Sequence, residues 1–191
     1  DLDPVPSVNS APLAVGGTLY FAIGYSIVHA MDAATGHLLW KYDPEVYAHA
    51  GSKLRMGWGV RGIAYRDGQV FTGTLDGRLL ALDAHTGHVN WSVQTTEPDD
   101  ARYISGPPYI FKDMVVIGHG GADYGATRGY VTAYDIHSGR QKWRLYTVPG
   151  NPAVDHDETT RMASRTWTGQ WWKHGGGGTA WHAMAYDPRF N

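Results

Sequence analysis

The sequence predicts an all-β fold: a β-propeller with tryptophan-docking repeats, of which about three blades are present. Three observations predict it. One pattern recurs three times at nearly constant spacing. Hairpin signals precede the copies. The composition, with 25 Gly, 8 Trp and 12 Tyr but only 18% charged residues, favours short strands and tight turns over helices.

The first copy reads Ala30-Met31-Asp32-Ala33-Ala34-Thr35-Gly36-His37-Leu38-Leu39-Trp40. The second reads Ala81-Leu82-Asp83-Ala84-His85-Thr86-Gly87-His88-Val89-Asn90-Trp91, and the third Ala133-Tyr134-Asp135-Ile136-His137-Ser138-Gly139-Arg140-Gln141-Lys142-Trp143. All obey A-x-D-x-x-[TS]-G-x-x-x-W, with the tryptophans 51 and 52 residues apart. A fourth copy begins near Ala183, at Ala183-Met184-Ala185-Tyr186-Asp187-Pro188. Residues 1–191 therefore read as one partial propeller domain, its repeats ending near Trp40, Trp91 and Trp143.

Each position in the pattern has a task. Asp and Thr or Ser hydrogen-bond the turn backbone, and Gly36, Gly87 and Gly139 supply a positive φ. The small Ala leaves room for an indole, and an aromatic once per period docks one sheet on the next. Upstream, strands at 13–15 and 18–22 flank Gly16-Gly17, and strands at 63–65 and 69–72 flank Asp67-Gly68.

Several function classes are excluded. The formal net charge of −2 argues against nucleic-acid binding. No run approaches the roughly 18 apolar residues of a membrane helix, so the chain is not expected to be transmembrane. The absence of Cys removes disulfides, thiolate metal sites and thiol nucleophiles. Asp1-Leu2-Asp3-Pro4 shows no leader pattern.

The interruptions of the repeat carry the functional signal, because loops that break a period collect on one face. Blade three carries about seven extra residues within 119–128 relative to its neighbours. The connection after Trp40 holds residues 46–60, and that after Trp143 holds 148–181. These excursions contain Arg61, then Gly120-Gly121-Ala122-Asp123, then the glycine run 175–178 leading to Trp181. An arginine, a carboxylate, glycines and a spare indole suit a flat anionic ligand with a cation. Each also has a plainer reading: a surface ion pair for Arg61, a turn cap for Asp123, a flexible linker for 175–178, an irregular docking residue for Trp181. Asp155-His156-Asp157-Glu158 reads as a solvated loop rather than a metal cluster.

Over essentially its whole length the sequence resembles the pyrroloquinoline quinone (PQQ)-dependent alcohol dehydrogenases. The residues that carry the resemblance are the docking repeats, Arg61-Gly62-Ile63-Ala64-Tyr65, Gly120-Gly121-Ala122-Asp123-Tyr124-Gly125, Arg128-Gly129-Tyr130, Tyr146-Thr147-Val148-Pro149-Gly150, and Trp171-Trp172-Lys173 through Trp181. The resemblance implies a primary alcohol oxidised to an aldehyde by PQQ beside a Ca²⁺ or lanthanide ion. It implies electrons passing to a cytochrome c and a periplasmic location. It implies Trp181 as a floor under the PQQ ring, and Arg61 and Ser105 as contacts to its polar groups. Gly120, Gly121 and Ala122 line it by backbone, and Asp123 is a metal ligand. Asn9 stands near the PQQ carboxylates where the family usually has Glu.

The departures from the family are specific. Asp123 replaces a Glu, Arg55 and Met56 occupy the place of a vicinal cysteine pair, and His182 stands where many relatives have Asp. The resemblance places the catalytic Asp, a further metal-ligating Asn and about five more blades beyond Asn191, so no catalytic base is expected within the sequence. Two other readings compete: a non-catalytic propeller scaffold that binds proteins, and a degenerate family member.

Overall fold

A computed structural model describes residues 10–53, 59–123, 125–182 and 184–190. Among these residues, twelve strands form three four-stranded antiparallel sheets, each a meander of consecutive strands. The first holds β1 (Leu13–Val15), β2 (Thr18–Ala22), β3 (Val28–Asp32) and β4 (Leu38–Tyr42). The second holds β5 (Ala64–Arg66), β6 (Gln69–Gly73), β7 (Arg78–Asp83) and β8 (Val89–Gln94). The third holds β9 (Tyr109–Phe111), β10 (Met114–Ile117), β11 (Tyr130–Asp135) and β12 (Gln141–Tyr146). These are the propeller blades that the repeats predict. The first hairpin matches its expected bounds. The second runs over Ala64–Arg66 and Gln69–Gly73 rather than 63–65 and 69–72, with Arg66 pairing Gln69 across the Asp67-Gly68 turn.

The turn chemistry repeats as the pattern requires. The Asp32 carboxylate accepts the N–H groups of Ala34 and Thr35, at 3.1 and 2.7 Å. Asp83 does the same for His85 and Thr86, and Asp135 for His137 and Ser138. Gly36, Gly87 and Gly139 close these turns at φ 72, 75 and 67°. Asp187 accepts the Arg189 N–H at 2.9 Å, so the fourth repeat opens with the same contact.

The tryptophans then join blade to blade. Trp40 Nε1 donates to the Ala84 carbonyl at 2.9 Å, and Trp91 Nε1 to the Ile136 carbonyl at 2.9 Å. Each acceptor directly follows the repeat Asp of the next blade. The Trp40 indole covers Gly87 so closely that a Cβ there would stand 2.7 Å from the ring. Trp143 is 40% exposed, and open space surrounds Gly36.

The core lies between the sheets. Tyr20, Val28, Val70, Leu80 and Leu82 pack where blade one meets blade two. Phe71, Leu79, Ile104, Val115, Ile117 and Ile136 pack where blade two meets blade three. Burying each of these large apolar side chains contributes roughly 1.5–3 kcal/mol, which makes the inter-blade seams the main source of stability. The chain entering each first strand also contacts the next blade. The Ala11 N–H donates to the Arg61 carbonyl and the Arg61 N–H to the Ser105 carbonyl, both at 3.0 Å.

The first excursion contains α1 (Val46–His49), and the third contains α2 (Glu158–Ala163). The Asp155-His156-Asp157-Glu158 stretch, read as a solvated loop, leads into α2 with His156 and Glu158 exposed. Asp155 pairs with Arg128 Nη1 at 2.5 Å, and Asp157 caps α2 by accepting the Thr160 N–H at 2.9 Å. The Arg128 guanidinium also lies 3.7 Å from the centre of the Tyr146 ring, tying this segment to β12.

Candidate functional site

The glycine run is a fastened strap and not the flexible linker its composition allows. Gly175, Gly176, Gly177 and Gly178 all have positive φ, between 58 and 89°, a path that L side chains resist. Gly177 donates to the Ala122 carbonyl at 2.5 Å and accepts from the Gly129 N–H at 3.1 Å. Thr147 Oγ1 donates to the Gly178 carbonyl at 2.6 Å. Farther along, Cβ atoms on Gly118 and Gly106 would collide with the carbonyls of Ala180 and Trp181. Bare backbone on both sides lets residues 175–181 lie directly across blade three.

This path delivers Trp181 to Arg61. The guanidinium carbon sits 4.9 Å from the centre of the half-buried indole ring. Arg61 Nη1 also donates to the hydroxyl of Ser105 at 2.8 Å and to its carbonyl at 3.2 Å. Ser105 is fully buried, which fixes the guanidinium plane from behind. Among the described residues the guanidinium contacts of Arg61 are to Ser105 and the Trp181 ring, with no carboxylate. Trp181, expected as a possible docking residue, makes this cation–π contact instead.

The second group stands at the other end of the strap. Gly120 pairs with Tyr103 across an antiparallel bridge, its N–H donating to the Tyr103 carbonyl at 2.8 Å. Gly121 and Ala122 follow, both buried, and Asp123 emerges exposed. Asp123 Oδ1 accepts from Thr179 Oγ1 at 3.2 Å. The structure thus brings Arg61, Ser105 and Trp181 into direct contact, and links Ala122 and Asp123 to the strap that carries Trp181. Asn9, Arg55 and Met56 lie outside the described residues.

The donor set has a definite chemistry. A guanidinium, a hydroxyl and an aromatic face are what a planar, carboxylate-bearing ligand engages. The exposed Asp123 carboxylate offers one hard oxygen ligand to a cation. Among the described residues no group of three or more His, Asp or Glu is placed to hold a metal ion. Sequence reading missed Thr179, although it lies two residues before Trp181. It also missed Arg102, whose Nε donates to the Arg128 carbonyl at 3.0 Å and whose guanidinium lies 4.7 Å from the Tyr130 ring centre.

Comparison with known proteins gives the family and the fold. The family profile for the PQQ glucose/ethanol/alcohol dehydrogenase β-propeller domain matches residues 3–191. Quinohemoprotein alcohol dehydrogenase ADH IIB of Pseudomonas putida is 47% identical over 193 residues, covering 100% of this chain and 28% of the relative. The solved quinohemoprotein alcohol dehydrogenase ADHIIG of Pseudomonas putida HK5 superposes with a TM-score of 0.91 at 44% identity, covering 100% of this chain and 28% of that one. A europium-containing methanol dehydrogenase superposes with a TM-score of 0.80 at 32% identity, covering 99% of this chain and 36% of that one. The chain therefore spans little more than a quarter of the length of its quinohemoprotein relatives.

Proposed function

Because the chain belongs to the PQQ family of glucose, ethanol and other alcohol dehydrogenases, as part of its β-propeller domain, we propose that it forms part of a quinoprotein oxidising a primary alcohol to an aldehyde. The observation that carries this reading is the Arg61–Ser105–Trp181 contact, which sets a cation, a hydroxyl and a planar face side by side.

In this reading bound PQQ would supply an acceptor for the hydride that carries the alcohol's two electrons, and Ca²⁺ or a lanthanide would supply Lewis-acid polarisation. The chain's own residues hold and orient. Arg61 pairs with a carboxylate of the ligand while Ser105 keeps its guanidinium in plane. Trp181 packs under the ring and excludes water from that face. Gly120, Gly121 and Ala122 present main chain with no side chain beyond a methyl in the way. Asp123 supplies a carboxylate to the metal, turned by Thr179. A lanthanide is supported by the europium in the methanol dehydrogenase relative, and a cytochrome c acceptor by a relative named 1-butanol dehydrogenase (cytochrome c). A periplasmic location goes with that electron route. Among the described residues no helix is long and apolar enough to cross a membrane.

The test uses the full-length protein, titrated with PQQ plus Ca²⁺ or La³⁺ while primary-alcohol-dependent dye reduction is followed. Saturable, metal-dependent reduction is expected. Absence of PQQ binding under either metal would overturn the reading and bring forward the scaffold that binds other proteins.

A further inference from the structure

His119 is enclosed at the start of the blade-three excursion, 1% exposed, with its ring edge-on to Tyr130 at 4.4 Å between centres. Nε2 lies 3.2 Å from the Tyr130 main-chain nitrogen, and Nδ1 lies 3.1 Å from the Gly120 carbonyl oxygen. A main-chain N–H can only donate, so Nε2 must be the acceptor. The single ring proton then sits on Nδ1 and donates to the Gly120 carbonyl. Burial pushes the imidazole pKa down to about 4, which keeps this neutral tautomer in place.

That carbonyl is held twice. It also accepts the Tyr103 N–H at 3.3 Å. The peptide joining Gly120 to Gly121 is planar and trans, so fixing its carbonyl aims the Gly121 N–H in the opposite direction. Neither residue has a side chain of its own to resist rotation about this peptide. Gly121 sits at φ +91°, a conformation that glycine enters and leaves easily. Orientation of this peptide is therefore imposed from outside, by Tyr103 along the bridge and by the imidazole beside it.

We propose that His119 is a positioning residue, which through the Gly120 carbonyl sets the Gly120–Gly121 peptide in the orientation the cofactor meets. The cofactor half of this statement rests on the PQQ reading above; the peptide half does not.

The test separates the two halves, using the full-length protein and two substitutions. His119→Phe keeps a ring and removes both hydrogen bonds. His119→Asn places an amide N–H where Nδ1–H stood and restores the bond to Gly120. In the cofactor-free protein, amide exchange at Gly120 and Gly121 is expected to rise at least about tenfold in His119→Phe, with Leu79 and Ala81 unchanged, as loss of one buried hydrogen bond implies. The PQQ dissociation constant, read by quenching of tryptophan fluorescence, is expected to rise about tenfold. His119→Asn is expected to bring both quantities to within roughly threefold of the parent. Unchanged exchange in His119→Phe, or an Asn variant no better than Phe, overturns the proposal. A parent protein that takes up no PQQ removes the functional reading instead, while the exchange measurement still decides what His119 does.

Discussion

The guanidinium of Arg61, just before β5, lies 4.9 Å from the centre of the Trp181 indole, carried there by a strap that begins after blade three. One residue enters through a first strand and the other through an irregular insertion. Their meeting is the most informative contact for the proposed ligand. Replacing Arg61 by Ala removes a charge-assisted bond and is expected to weaken PQQ binding by about ten- to a hundredfold. Arg61→Lys recovers only part, because a point charge cannot reproduce the planar fork held by Ser105. Fluorescence titration of the full-length protein measures both.

Asp123 is the chain's proposed contribution to the metal. Asp123→Ala is expected to raise the Ca²⁺ or La³⁺ concentration needed for half-maximal dye reduction by at least about tenfold, while cofactor-free melting stays within roughly 0.5 kcal/mol of the parent, since the residue is exposed. Thr179→Val is expected to shift the same midpoint less, because it only turns the carboxylate. Metal titration after chelator treatment distinguishes the two.

Gly87 is predicted to be a stability position and not a functional one. At φ 75°, beneath the Trp40 ring, Ala there meets backbone strain and a 2.7 Å contact together. Gly87→Ala is expected to destabilise the protein by about 2 kcal/mol or more, read as a lower denaturation midpoint. Gly36→Ala meets only the backbone cost wherever no indole covers it, so it is expected to be milder.

The buried imidazole of His119 gives stability a pH dependence of known sign. Burial, the largest influence, lowers its pKa from the ordinary 6.5 to about 4. The bond to the Gly120 carbonyl and the charge of Asp100 oppose this, while Arg102 and Arg144 add to the lowering. The unfolded chain therefore binds a proton between about pH 6.5 and 4 that the folded chain refuses. His119's contribution is fully present above pH 6.5 and is lost as the pH falls toward 4, by an amount on the order of 3 kcal/mol. Denaturation midpoints across that range are expected to fall more steeply in the parent than in His119→Asn.

Much of the fold was legible because its chemistry is local. Asp32, Asp83 and Asp135 bind main-chain groups two and three residues ahead, so spacing alone reveals them. Trp40 and Trp91 reach other blades, yet they recur with the period and could be found by it. The site was legible only in part. Arg61 and Trp181 were named from the interruptions of the repeat and Ser105 from the resemblance, and both Ser105 and Trp181 meet Arg61 in space. The strap was not foreseen, because four glycines carry no side-chain pattern, and their role appears only where Ala122, Gly129 and Thr147 bind them. Arg128 and Asp155 were missed as a pair for a related reason. Their attraction depends on how a long insertion folds back, which no short-range pattern encodes.

The docking tryptophans bear on what each joint demands of the sequence. Each joint consists of an indole N–H and a main-chain carbonyl, and every residue type owns such a carbonyl. Ala84 and Ile136 accept equally well at 2.9 Å, though their side chains differ. The joint itself therefore asks for the tryptophan and the glycine under it, and not for any one residue type at the acceptor.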